Sequence, residues 1–201
     1  MRIRVIPSVM FLLIALALSA DRGGAQSAMS AKSVQSPPLE LALTYNWARS
    51  NAPPGGCGCF SLNGASLQLA WPVKAKGLAF TASLAVVNQP SALSTGNSLT
   101  LGTFLLGAQY RLAKADSRWQ PFAEVLAGGA RASGKMIASN RAAEGADLTF
   151  AGEAGGGLDF RLSRRWLLRA VQVDYLADTV NNGSNNHQNI LRVNTGVALR
   201  F

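Results

Sequence analysis

From Leu39 to Phe201 apolar and polar side chains alternate with a period of two, in eight separate segments. That period fixes the element, because successive side chains of a strand point to opposite faces while a helix repeats every 3.6 residues. The first segment sets Leu39, Leu41, Leu43, Tyr45 and Trp47 against Glu40, Ala42, Thr44 and Asn46; the last sets Leu191, Val193, Thr195, Val197, Leu199 and Phe201 against Arg192, Asn194, Gly196 and Arg200. The fourth segment carries Leu105 on its polar face, and the fifth, from Pro121, alternates least cleanly. The seventh slips phase: Arg169 lies on one parity, Gln172 and Asp174 on the other. A β-bulge near Ala170 or Val171 is expected to bring all three to one side.

The connections alternate as well. Residues 49–61, 88–98, 133–146 and 177–189 read as long and polar, and residues 72–77, 113–120 and 161–165 as short. A meander with long links at one end and short links at the other fits a barrel whose ends face different media. The aromatic side chains divide the same way: Trp71, Tyr110, Trp119 and Trp166 near the short turns, Tyr45, Trp47 and Tyr175 near the long loops. Amphipathic rings collect at the two bilayer–water interfaces. Charged residues are 14% of the chain, against about a quarter in soluble domains. A soluble barrel with apolar residues inside would turn Ser66, Ala70, Ala85, Gly155 and Gly157 toward water, a face with too few charges for solubility.

The N-terminus reads as an export signal. Arg2 and Arg4 precede an apolar run from Val5 to Ala20, too short for a bilayer span, and small residues follow at Ala20 or Ala25, where the cut is expected. The expected layout is a signal peptide at 1–25, a flexible leader at 26–38 and an all-β, transmembrane up-and-down antiparallel β-barrel of eight strands at 39–201. Without residues 1–25 the formal charge falls from +9 to +7 (16 basic, 9 acidic). Export argues against nucleic acid as the counter-charge. Anionic lipid and lipopolysaccharide head groups are the expected partners; the basic residues of the short turns (Lys74, Lys76, Lys114, Arg118, Arg161, Arg164 and Arg165) read as a solvated rim, with attraction to anionic head groups of the inner leaflet as the alternative.

In this pattern the chain resembles the small eight-stranded outer-membrane barrels of the OmpA/OmpX type over residues 39–201. The most specific element is the last strand, "LRVNTGVALRF". Its terminal Phe201, with Leu199 and Val197 at alternate positions, resembles the signal read by the outer-membrane barrel assembly machinery. The resemblance implies location in the bacterial outer membrane and closure of the last strand on the first. It carries no cell-wall-binding domain with it.

In an eight-stranded barrel side chains just fill the interior. The inward set is expected to hold Glu40, Glu124, Glu153, Asp159 and Asp174 with Arg111, Arg169, Arg192 and Arg200, and Gln68, Gln109, Gln172, Asn46 and Asn194 in the gaps. Buried charges must cancel to be tolerated, and the planar guanidinium can bind two carboxylates. Such a plug closes the lumen; a narrow pore for ions or small solutes is the alternative. Cys57 and Cys59, exported to an oxidising compartment, are expected to pair locally, with pairing between chains as the alternative. A lipid A-modifying enzyme is the third reading. His187 is the sole histidine, and the Ser two residues on that the deacylase pattern requires is replaced by Asn189 after Gln188, with Ser184 three residues before. No catalytic residue, cofactor or metal is therefore expected. The role left is structural, or interaction through four loops whose ligand the sequence does not name.

Overall fold

The computed structural model describes residues 38–50, 60–73, 75, 77–92, 97–114, 117–134, 148–180 and 187–201. The signal peptide, most of the leader, Lys74, Lys76, Cys57, Cys59 and Ser184 lie outside the described residues. Eight strands follow in order: β1 (Glu40–Ser50), β2 (Phe60–Pro72), β3 (Leu78–Ala92), β4 (Asn97–Arg111), β5 (Trp119–Gly134), β6 (Thr149–Arg161), β7 (Trp166–Asp178) and β8 (Gln188–Arg200). Each pairs antiparallel with its sequence neighbour, and β8 pairs with β1, so the sheet closes. Closure leaves no unpaired edge, which a hydrocarbon surrounding demands. The backbone N–H of Phe201 continues the seam by donating to the Leu39 carbonyl at 3.0 Å.

The register fixes the stagger. Hydrogen-bonded partners lead from Asn46 through Gly64, Val87 and Leu101 to Ala132 on β5. In the other direction they lead through Asn194, Gln172 and Gly157 to Phe122 on the same strand. The two arrivals differ by ten residues (132 − 122), which is the shear that tilts strands in a closed barrel.

The phase slip on β7 is a bulge. The pairing with β6 passes from Leu158↔Val171 to Asp159↔Arg169, and the pairing with β8 from Gln172↔Asn194 to Arg169↔Gly196. Ala170 and Val171 are two consecutive outward residues, so Arg169, Gln172 and Asp174 all face in. The Thr195 hydroxyl, on the facing strand, donates to the Arg169 and Ala170 carbonyls at 3.1 and 3.3 Å. That accounts for a threonine among the apolar outward residues of β8.

Two connections depart from expectation; the one read as 113–120 ends before Trp119, where β5 begins, and the other differs more. The reading of 88–98 as a long loop is corrected: β3 runs to Ala92 and β4 starts at Asn97, leaving 93–96 between them. Ladder hydrogen bonds can take up a polar stretch when its neighbours pair, and the composition of "NQPSALSTGNS" did not reveal this. The turn between β2 and β3 closes on Gly77, whose φ of +79° lies in the left-handed region that favours glycine, and a Cβ there would meet the Arg111 carbonyl oxygen at 2.7 Å.

Large apolar side chains cover the outside, among them Leu43, Leu67, Leu84, Leu106, Val125 and Val173. Trp71, Tyr110, Trp119, Trp166 and Phe201 ring the turn end, where Trp119 and Phe160 meet edge to face at 4.8 Å. Tyr45, Phe104, Phe150 and Tyr175 stand toward the loop end. Val125, 67% exposed in mid-strand, is a direct probe of this belt. Val125→Arg is expected to cost about 2–4 kcal/mol, and Leu112→Arg, at the turn rim, no more than about 1 kcal/mol. Urea unfolding of the refolded protein in lipid vesicles checks the contrast, and equal costs at both depths would contradict the assignment of the belt.

Candidate functional site in the barrel lumen

The inward side chains sort by height. The turn-side ends of β1, β4, β6, β7 and β8 deliver Glu40, Arg111, Asp159, Arg169 and Arg200, and β5 adds Gln120. Arg169 is fully buried and sits at the centre. Its Nε and Nη2 donate to the Asp159 carboxylate at 2.9 and 3.3 Å, Nη2 approaches Glu40 at 3.5 Å, and Nη1 donates to Gln172 Oε1 at 2.8 Å and to Gln68 Oε1. Arg111 donates to Asp159 at 3.1 Å, to Gln120 at 3.2 Å and to Glu40. Arg200 donates to Glu40 at 3.1 Å and to Gln120. The Phe122 ring lies beneath two of the guanidiniums, 4.5 Å from that of Arg169 and 5.8 Å from that of Arg111. A cation over an aromatic face gains from the ring quadrupole where water is excluded.

This floor joins three arginines to two carboxylates. Above it the balance reverses: Glu124, Glu153 and Asp174 share the mid-barrel with Arg192, which pairs with Glu153. Two amides connect the levels. Gln68 and Gln172 accept from Arg169 through their carbonyls and donate to Glu124 through their amino groups at 2.7 and 2.8 Å. Each therefore orients its dipole between the two ions, its oxygen to the guanidinium and its amino group to the carboxylate. Gln172 and Asn194 also donate to Asp174, at 2.8 and 2.7 Å.

Toward the loops the lumen turns apolar. Leu62, Val87, Leu99, Leu101, Leu105 and Leu126 belong to a buried cluster that extends to Leu176, Val180 and Ile190. Leu105, which breaks the polar pattern of β4 in sequence, is a member of this cap rather than a misplaced lipid contact. The structure thus places all nine charged residues of the expected inward set inside the barrel, in two clusters rather than one. Sequence reasoning missed Gln120, assigned to a connection, and the apolar cap. Both left a signal: Gln120, Phe122 and Leu126 share the parity of Glu124. Val197 and Phe201 are exposed on the outer face, Phe201 at 68%, and Leu199 is half-buried beside them.

A closed, antiparallel, eight-stranded up-and-down barrel with apolar residues outside and ion pairs inside is the fold of small outer-membrane barrels. Solved structures with this fold include Neisserial surface protein A, at 14% identity over 81% of this chain and 97% of that one, with a TM-score of 0.59. They include Ail, the attachment invasion locus protein of Yersinia pestis, at 12% identity over 83% and 100% of the two chains, TM-score 0.56. Ail in complex with the heparin analogue sucrose octasulfate aligns at 14% identity over 81% and 99%, TM-score 0.51. At these identities the likeness is one of fold. No protein-family model matches the chain, and no curated protein matches it in sequence.

Proposed function

We propose that this chain is an integral protein of the bacterial outer membrane whose lumen is sealed, and whose role is structural or exercised through its surface loops. The observation that carries the reading is the filled interior. Arg169 ties Asp159, Glu40, Gln68 and Gln172 across the barrel, and the leucine-rich cap closes the loop side. Solutes would have to displace paired, desolvated charges and then an apolar layer, and both steps are costly. Planar-bilayer recording of pure, refolded protein is expected to give no steady conductance at either polarity. Steady, large unitary steps would establish the pore reading instead.

The outward surface supports contact with charged head groups at both rims. Arg49 and Arg131 are exposed near the loop end, where lipopolysaccharide phosphates are the matching anions, and Lys114, Arg118, Arg164 and Arg165 are exposed at the turn end. In the same reading, the C-terminal strand is the signal for the assembly machinery, with Phe201, Leu199 and Val197 as its apolar positions. The hydrogen bond that ties Phe201 to the barrel runs from its backbone N–H and its side chain is 68% exposed, so replacing the ring is expected to spare the closed fold. Phe201→Ser is expected to lower the amount of folded protein in outer-membrane fractions at least several-fold while leaving refolding yield in detergent unchanged. Equal loss in both assays would assign the residue to stability rather than recognition.

A further inference from the structure

The apolar cap at the loop end of the lumen is not fully packed. A cavity of about 320 Å³ lies among the loop-side ends of β1, β2, β4, β5, β7 and β8. Phe60, Leu99, Leu101 and Ile190 belong to its apolar wall, and Ser50, Asp178 and Gln188 are its polar lining. Ligand pockets begin at about 300 Å³ and combine the same two features, a mostly apolar wall and a few polar groups that fix orientation.

The polar groups supply a second observation. Asp178 and Gln188 stand directly opposite each other on β7 and β8, and they are 3% and 6% exposed. Asp178 Oδ1 accepts from the Val180 backbone N–H at 3.0 Å. Asp178 Oδ2 has no hydrogen-bond partner among the described residues, and neither has Gln188 Nε2. No ion pair among the described residues engages the Asp178 carboxylate. One acceptor and one donor thus stand open on facing residues of an apolar cavity. Each is costly to bury unpaired, and together they call for a ligand that meets both.

An ammonium group would serve Asp178 and set its own hydrogens against the Gln188 amino group. A carboxylate would serve Gln188 and be repelled by Asp178. A hydroxyl donates through its hydrogen and accepts through its lone pairs, so one uncharged group satisfies both residues. We propose that this cavity binds a small aliphatic alcohol, with its hydroxyl between Asp178 and Gln188 and its hydrocarbon chain against Leu99, Leu101 and Ile190. The hydrogen bond to the carboxylate is charge-assisted and is the stronger of the two. This goes beyond the sealed-barrel reading, and conductance does not bear on it, because a ligand seated in the cap does not cross the barrel.

The test uses the full mature chain in lipid nanodiscs, free of detergent whose alkyl chains would compete, with its isoleucine methyl groups labelled for NMR. After residue 25 the sequence holds only Ile137 and Ile190, so two signals result, and Ile190→Val identifies the one from the cavity. Titration with n-octanol is expected to shift the Ile190 methyl saturably, with Ile137 as the reference. Heptyl methyl ether, an isomer of n-octanol that accepts a hydrogen bond and cannot donate one, is expected to bind at least about tenfold more weakly. Asp178→Asn keeps an acceptor for the Val180 N–H and replaces the open oxygen by an amino group. It is expected to weaken n-octanol by a similar factor, and Ala132→Phe, which fills the cavity, to abolish the shift. The absence of a saturable shift in the wild type overturns the site. Equal binding of the alcohol and the ether does so too, and so does tighter binding of octylamine, which would reveal recognition of a cation. The wild-type comparison of these compounds decides the matter even if a variant fails to fold.

Discussion

Deletion of Ala170 is expected to abolish folding of the barrel in detergent and in lipid vesicles. The bulge places two consecutive residues, Ala170 and Val171, on the outside of β7. Removing one restores strict alternation and forces a choice, because a one-residue slip exchanges the faces of a strand. Either Arg169 turns to the acyl chains, or Gln172, Asp174 and Leu176 exchange places with Val171, Val173 and Tyr175. The first empties the centre of the floor, where Arg169 holds Asp159 and both glutamine carbonyls. The second removes Asp174 and Gln172 from the mid-barrel and buries a tyrosine in their place. Neither has a neighbouring strand able to compensate, since β6 and β8 are both in register with the bulge. Ala170→Gly, which keeps the extra residue, is expected to fold at wild-type yield. A heat-modifiable band for the deletion variant would mean the register is not pinned there.

Arg169→Ala is expected to fold with a loss of about 3–5 kcal/mol, the range for breaking a buried ion pair from one side. The magnitude comes from what is left behind. Asp159 keeps Arg111 and Glu40 keeps Arg111 and Arg200, so the floor passes from a formal surplus of one positive charge to neutrality and neither carboxylate is left unpaired. The orphans are the Gln68 and Gln172 carbonyls, and Glu124 loses the positive charge behind its two amides. A void also opens over the Phe122 ring. Glu124→Gln added to Arg169→Ala is therefore expected to recover part of the loss, with a coupling of about 1–2 kcal/mol. Urea unfolding in vesicles gives the cycle. Strict additivity would show that the amide bridge carries no energy between the levels.

Most of the architecture was legible because lipid enforces a strict rule on each face. Period two gave the strands, and the slip between Arg169 and Gln172 located the bulge, since charges of one strand must share a side. The girdle was readable from the positions of seven Trp and Tyr residues. Other features were hidden for physical reasons. Parity distinguishes inside from outside but carries no height, so the separation into a cationic floor, an anionic middle and an apolar cap emerged only with the stagger of the closed sheet. Leu105 and Leu126 looked like flaws in the alternation because leucine is acceptable on both faces. Gln120 was taken for a connection because Pro121 beside it suggested a strand start, although the ladder reaches back to Trp119. The extent of β3 and β4 was concealed by a polar stretch whose ladder continues through Asn88 opposite Thr100 and Gln89 opposite Leu99 to Ala92 opposite Asn97.

The central claim is the polarity of the wall, apolar outward and charged inward, and β5 offers the cleanest strand on which to measure it. With Cys57 and Cys59 replaced by Ser, single cysteines at 121, 123, 125 and 127 face out, and those at 122, 124, 126 and 130 face in. A thiol reagent confined to the lipid phase is expected to label the odd series rapidly in folded, vesicle-inserted protein and to leave the even series unmodified until the barrel is boiled in SDS. Labelling of both series at similar rates, or of the even series first, would contradict the account.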